Sequence, residues 1–307
     1  VWFGSPHEPY SGLPADLKRY DHLPEKYKDR GTVSLTSNKT GRRVKRPLGD
    51  VLRERYAEIT AMDRSIGTLR DFLKKEGLRD NTLLWYCGDN GTPPSGLLAS
   101  PLRGRKGQFH EGGIRVPAVM EWPARISKPR ISTVNTVTSD ILPTLCALAG
   151  TQMPDNRPLD GVSLVPLLEG VMDKRNVPIF FWGFNQGRRL KAKPNPKPWI
   201  DPHLQKGTTP LVKLRGNIAT RNFRNDRHPD IIESDFSGTR VILNNRYKLI
   251  IHDDKGGQKI ELFEIRRDPA ESKNLAAQEV AITKSMQADL HTWQESVLRS
   301  LTGADYK

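Results

Sequence analysis

The chain has 307 residues, a hydrophobic content of 36% and a formal net charge of +14. That length suffices for one large domain, or a domain plus a smaller one, and the spread of aromatic residues argues against general disorder. The charge favours anionic partners or simply a soluble basic surface. Zinc-finger spacing, basic heptads and an aromatic RNA-binding signature are missing, which puts nucleic acid behind an acidic small or polymeric substrate.

The chain opens VWFGSPHEPY. This is not a signal peptide, for it has neither a basic n-region nor a long apolar h-region, and no run reaches transmembrane length. Val1-Trp2-Phe3 reads as the end of a buried strand entering a Pro-rich loop, Ser5–Pro14, and suggests that a preceding portion of a domain is missing. Residues 15–49 read as polar, basic and irregular. Over 51–76 the apolar positions Leu52, Tyr56, Ile59, Met62, Ile66, Leu69 and Leu73 step by three and four, which predicts a helix with one buried stripe. Asp50 is placed as its N-cap and Gly77 just past its end.

Thr82–Cys87 is a short apolar run after a helix and a turn, as expected of a buried parallel strand. Val116–Trp122 is predicted as another strand, and Ser139–Ala149 as a short helix with Pro143 in its first turn and Gly150 ending it. Residues 184–230 form a basic, Pro/Gly-rich excursion that includes RRLKAKPNPKPW. Thr239–Leu243 and Arg246–His252 flank Asn244-Asn245, a hairpin signal. Ile260–Ile265 adds a third strand, and 276–299 a final helix with Val280, Met286, Leu290, Trp293 and Val297 on one side. Strands followed by a helix predict a small α+β module. Cys87 and Cys146 lie in apolar runs and read as buried thiols, too few for a disulfide framework.

Asp89-Asn90-Gly91 follows the first of these strands. A carboxylate beside an amide supplies oxygen ligands for Ca²⁺ or Mg²⁺; alternatively Asn-Gly makes only a tight turn. The TPPSG that follows is not strand-like, which weakens a hairpin reading. Leu102–Pro117, LRGRKGQFHEGGIRVP, sets Lys106 among glycines, where backbone N–H groups and a point charge can meet an anion. The alternative is a flexible basic turn, with Glu111 a structural partner for Arg103, Arg105 or Arg115. His7, in Pro6-His7-Glu8-Pro9, is either structural or catalytic.

Taken in order, PHxP, DNG, LRGxKG…EGGxRVP, PTLxxLAG, DGVSLVPLL and the closing ELFEIRRDPAESKNLA resemble the sulfatase family over essentially the whole chain. DNG with KG…EGG is the most specific part. The resemblance implies an α/β, alkaline-phosphatase-like sandwich, here partial, with a smaller C-terminal antiparallel sheet plus helix subdomain. On this reading 1–183 is the later part of the catalytic domain, 184–230 the basic excursion and 231–307 the subdomain. It further implies hydrolysis of a sulfate ester by a formylglycine nucleophile made from Cys or Ser, with Ca²⁺ (Mg²⁺ second) at the site. By motif, Asp89 and Asn90 match metal ligands, while Lys106 and His7 match sulfate contacts that stabilise charge. Arg115 and Glu111 are assigned to structure.

The formylglycine motif, C-x-P-x-R or S-x-P-x-R, does not occur in these 307 residues. The chain by itself is therefore expected to be inactive, with its nucleophile in a missing N-terminal half. The expected substrate is a sulfated carbohydrate, gripped in part by Lys191, Lys193 and Lys197 of the excursion, and the expected compartment is periplasmic or secreted. Two alternatives stand beside this reading: a phosphodiesterase or phosphonate hydrolase of the same superfamily, and a non-catalytic module binding acidic glycans.

Overall fold

The predicted helix over 51–76 is the longest element of the first part of the chain, running Leu48–Lys75 in a computed structural model. The structure describes all residues except 2, 38, 95–98, 153–157, 185–229, 255–256, 303 and 307. These residues form two compact units, one from 1–82 with 92–100, the other from 83–91, 101–184 and 230–306.

In the first unit, α1 (Pro14–Lys18) and α2 (Leu23–Lys26) precede a hairpin of β1 (Thr32–Thr36) and β2 (Arg43–Pro47), which leads directly into α3 (Leu48–Lys75). Residues 15–49 are thus largely ordered elements, not an irregular stretch. The hairpin hides in the sequence because Arg43 and Lys45 fill its outer face and only Val33, Leu35 and Val44 alternate inward. The N-cap of α3 is Pro47, not Asp50; proline's fixed φ suits a helix start, and its missing N–H costs nothing there. Gly77 has φ 67, as predicted for the residue that stops the helix. Of the predicted stripe, Leu52 and Met62 are buried and the rest are half-buried. Ion pairs fasten α3 to its surroundings: Arg46 grips Glu54 through two 2.7 Å bonds, Arg53 pairs with Asp21, and Arg64 holds the buried Asp16 at 2.6 Å. Val1 is fully exposed and no described residue near it forms a strand, so the predicted buried strand end is not seen.

The second unit begins with β3 (Leu84–Cys87). It continues through α4 (Glu111–Ile114), β4 (Ala118–Glu121), α5 (Ile141–Ala149) and α6 (Val165–Leu168). A four-stranded sheet follows: β5 (Ile179–Trp182), β6 (Arg240–Leu243), β7 (Tyr247–Asp254) and β8 (Gly257–Glu264), antiparallel throughout and in sequence order. The chain closes on α7 (Val280–Leu301). Thr82–Cys87 was expected as a buried parallel strand. Among the described residues, Leu84–Cys87 instead pairs antiparallel with Ala118–Glu121 and is half-buried. An apolar run reports burial but carries no information on the direction of its neighbour. Cys87 and Cys146, expected as buried thiols, are half-buried and form no disulfide with each other.

The C-terminal sheet is covered on both faces, and strand alternation assigns each residue to one of them. Ile242, Tyr247, Leu249, Ile251 and Leu262 face Met286 and Leu290 of α7. Ile179, Val241, Leu243, Ile250 and Phe263 face the other way and pack against Phe109 and Val137. The hairpin expected at Asn244-Asn245 is present, with Asn244 Oδ1 accepting from the N–H groups of Arg246 at 2.8 Å and Tyr247 at 2.7 Å. No helix among the described residues is long and apolar enough to cross a membrane.

Candidate functional site

At the end of β3, the backbone N–H of Gly88 donates to Pro117 at 3.2 Å and closes the ladder with β4. Asp89 is then exposed and Asn90 half-buried, with Asn90 Nδ2 donating to the Gly91 carbonyl at 3.1 Å. Gly91 is buried, and its N–H donates to the Gly113 carbonyl at 2.9 Å. The structure therefore docks the Asp89–Gly91 loop on the Gly-Gly turn of the Lys106 segment. Glycine is required at this contact: a Cβ on Gly91 would lie 2.3 Å from the Gly112 carbonyl oxygen. We expect Gly91→Ala to lower stability by about 1–3 kcal/mol through overpacking, read as a fall in the urea midpoint.

Lys106 is exposed in the turn Arg105–Gln108, which the Gln108 N–H closes on the Arg105 carbonyl at 2.9 Å. Gly107, with φ 87, adopts a backbone conformation that a side chain would strain. The turn is anchored by Phe109, whose ring lies 6.2 Å from Phe181 on the sheet. Behind it, the Gly112 N–H reaches the Arg103 carbonyl at 2.7 Å. The arrangement presents one ammonium group on a stiff, glycine-shaped platform.

A buried charge cluster lies beneath these loops. Alternation places Lys248, His252 and Glu261 on the sheet face that Phe109 covers. Lys248, fully buried, donates to Glu111 at 3.0 Å and pairs with Glu271 at 2.8 Å. Glu271 also accepts from the Glu111 N–H at 2.8 Å. It alone among the described non-glycine residues has positive φ, 54°, a conformation that persists only where its surroundings enforce it. Burial by itself would raise the Glu271 carboxyl; His110, Lys248 and the Glu111 N–H outweigh it and hold the group below its ordinary value. Glu261 is likewise lowered, with burial opposed by Arg103, Lys259 and His252. The ligand-capable atoms of His110, His252 and Glu261 lie within 4.8 Å of one another.

Of the predicted residues, Asp89, Asn90 and Lys106 sit on loops of this one unit. His7 belongs to the other unit, where it is exposed and its Nδ1 lies 2.7 Å from the Glu8 carbonyl. Its loop is pinned by the Ser11 N–H donating to Glu58 at 2.8 Å; burial pushes the Glu58 carboxyl up, against the bonds from Ser11. Lys191, Lys193 and Lys197 lie outside the described residues. Of the three arginines weighed for Glu111, Arg115 lies 3.7 Å from it, but the closer partner is Lys248, which the sequence did not single out. The closing ELFEIRRDPAESKNLA acquires a physical meaning: Leu262, Phe263 and Ile265 are core, Glu261 and Glu271 enter the charge cluster, and Asn274 accepts from Leu262 N–H at 2.9 Å.

A family model described as Sulfatase matches residues 1–151. Arylsulfatase A of Bos taurus is 39% identical over 140 residues, covering 44% of this chain and 26% of its own length. N-acetylgalactosamine-6-sulfatase of Mus musculus is 34% identical over 145 residues, 45% of this chain and 28% of its own. The matched region thus spans roughly a quarter of each of these relatives. The crystal structure of Ps i-CgsB superposes with a TM-score of 0.60 at 20% identity, covering 98% of this chain and 53% of that one. The alkaline-phosphatase-like fold, with its C-terminal four-stranded sheet and helix, accordingly extends beyond the segment that sequence comparison detects. On the match over residues 1–151 and the likeness to these sulfatases, this chain is a member of the sulfatase family.

Proposed function

We propose that the chain forms the later part of a sulfuric ester hydrolase acting on a sulfated sugar. The observation that carries the reading is the 2.9 Å bond from Gly91 to Gly113, which joins the Asp89–Asn90 loop to the segment bearing Lys106. Asp89 and Asn90 offer side-by-side oxygen donors of the class that Ca²⁺ takes, fewer than its usual six to eight or so, so further ligands come from elsewhere. When bound, the cation would offset negative charge on the sulfate oxygens. Lys106 supplies a fixed positive charge to the same anion. His7 is assigned as a second sulfate contact and leaving-group aid. The formylglycine nucleophile belongs to a segment outside these 307 residues. A sulfated amino sugar fits the name of the murine relative and the charge of +14, with Lys191, Lys193 and Lys197 extending the grip on a polymer, and a periplasmic or secreted setting suits such a substrate.

The test is sulfate release by protein expressed from a reading frame that includes a C-x-P-x-R or S-x-P-x-R motif. Lys106→Ala is expected to lower kcat by roughly 10²–10³, the scale for losing one charge-stabilising donor. Turnover of a phosphonate monoester in preference to an aryl sulfate would overturn the reading, as would a kcat indifferent to Lys106.

A further inference from the structure

We propose that His110, His252 and Glu261 form a transition-metal site suited to Zn²⁺, separate from the Asp89–Asn90 pair and different from it in chemistry. His252 Nε2 lies 3.0 Å and His110 Nε2 4.0 Å from the same oxygen, Glu261 Oε2. A tetrahedral zinc with bonds of about 2.0–2.2 Å holds its ligands roughly 3.2–3.6 Å apart. Convergence of the three atoms within 4.8 Å therefore asks only a small side-chain adjustment.

Three features prepare these atoms as ligands. His110 Nδ1 lies 3.3 Å from Glu271 Oε2, which leaves Nε2 as the ring nitrogen toward Glu261 Oε2. A histidine oriented by a carboxylate in this way is the usual outer support of a metal-bound imidazole. Glu261 is supported in the same sense: Arg103 at 3.1 Å and Lys259 at 3.3 Å occupy Oε1 and leave Oε2 toward the imidazoles. The side chain of Glu261 is 6% exposed, that of His110 12% and that of His252 25%, so the cluster is held rigidly on one side and reaches solvent on the other. Two imidazoles and one carboxylate with an open fourth position match zinc, while nitrogen donors disfavour Ca²⁺ and Mg²⁺.

The experiment uses the full chain, stripped with chelator and dialysed against Zn²⁺ alone, with Co²⁺ as a coloured substitute. One equivalent of zinc is expected, with visible ligand-field absorption for the cobalt form. His252→Gln keeps an amide able to bond Glu261 and is expected to weaken zinc binding at least about tenfold, on the scale of losing a metal-site residue. Asp89→Ala is expected to leave zinc binding unchanged. Zinc-edge X-ray absorption of the unaltered chain needs no variant: imidazole and oxygen scattering are expected. Failure to bind stoichiometric zinc, binding indifferent to His252→Gln, or sulfur coordination from Cys87 or Cys146 would each overturn the proposal.

Discussion

Replacing Lys248 with Ala is expected to destabilise the unit that contains it by about 3–5 kcal/mol, the scale for removing one partner from a buried ion pair. The ammonium is fully buried between Glu111 at 3.0 Å and Glu271 at 2.8 Å. Without it, two carboxylates remain in a poorly hydrated interior with no buried cation between them, and each resists ionisation there. Lys248→Met separates charge from packing. It keeps an apolar stem in the same space and is expected to lose nearly as much as Lys248→Ala. Urea unfolding followed by tryptophan fluorescence measures both. A loss under about 1 kcal/mol for Lys248→Met would show that the stem, not the charge, matters. Because Glu271 also accepts the Glu111 N–H, and Glu111 opens the Gly112-Gly113 turn on which Gly91 docks, the same substitution should loosen both candidate loops.

Arg175→Ala is expected to cost a similar amount, about 3–5 kcal/mol, by leaving Asp140 buried and unpaired. Asp140 is inaccessible and receives the guanidinium through two bonds of 2.7 and 2.8 Å. The same carboxylate accepts the N–H groups of Val137 and Val162, both at 2.9 Å, and so fixes the start of α5 and the loop before α6. Arg175 is itself held from the hairpin turn, where Asn245 exchanges two 2.7 Å bonds with its backbone. Arg175→Lys supplies a charge but not the planar fork, and is expected to recover only part of the loss. Thermal unfolding of the two variants beside the unaltered chain checks the order.

Some of this was legible residue by residue. The three-and-four stepping from Leu52 to Leu73 marks α3, and Asn244-Asn245 between alternating runs marks the β6–β7 hairpin, because both signals lie within the element that they specify. The β1–β2 hairpin escaped because its outer face is charged and its inward residues are few. The direction of β3 escaped because a half-buried apolar run fits either kind of neighbour. The cluster under the loops was the hardest to see. A lysine inside a strand reads as a solvent-facing residue, and only the register Lys248↔Phe263 and Ile250↔Glu261 puts Lys248 and Glu261 together on the face that Phe109 covers.

By itself the sequence determined which segments are candidates for the chemistry. Asp89-Asn90-Gly91 offers an oxygen-donor pair and Lys106 a positive charge among glycines, because residue type and local spacing define those motifs. The tertiary structure decided what each charge is paired with. The docking of Gly91 on Gly113, the burial of Lys248 between two glutamates and the convergence of His110 and His252 on Glu261 all join residues distant in the chain. Such pairings follow from strand register and loop packing, where a shift of one residue turns a side chain to the opposite face, and so they emerge only when the whole unit has folded.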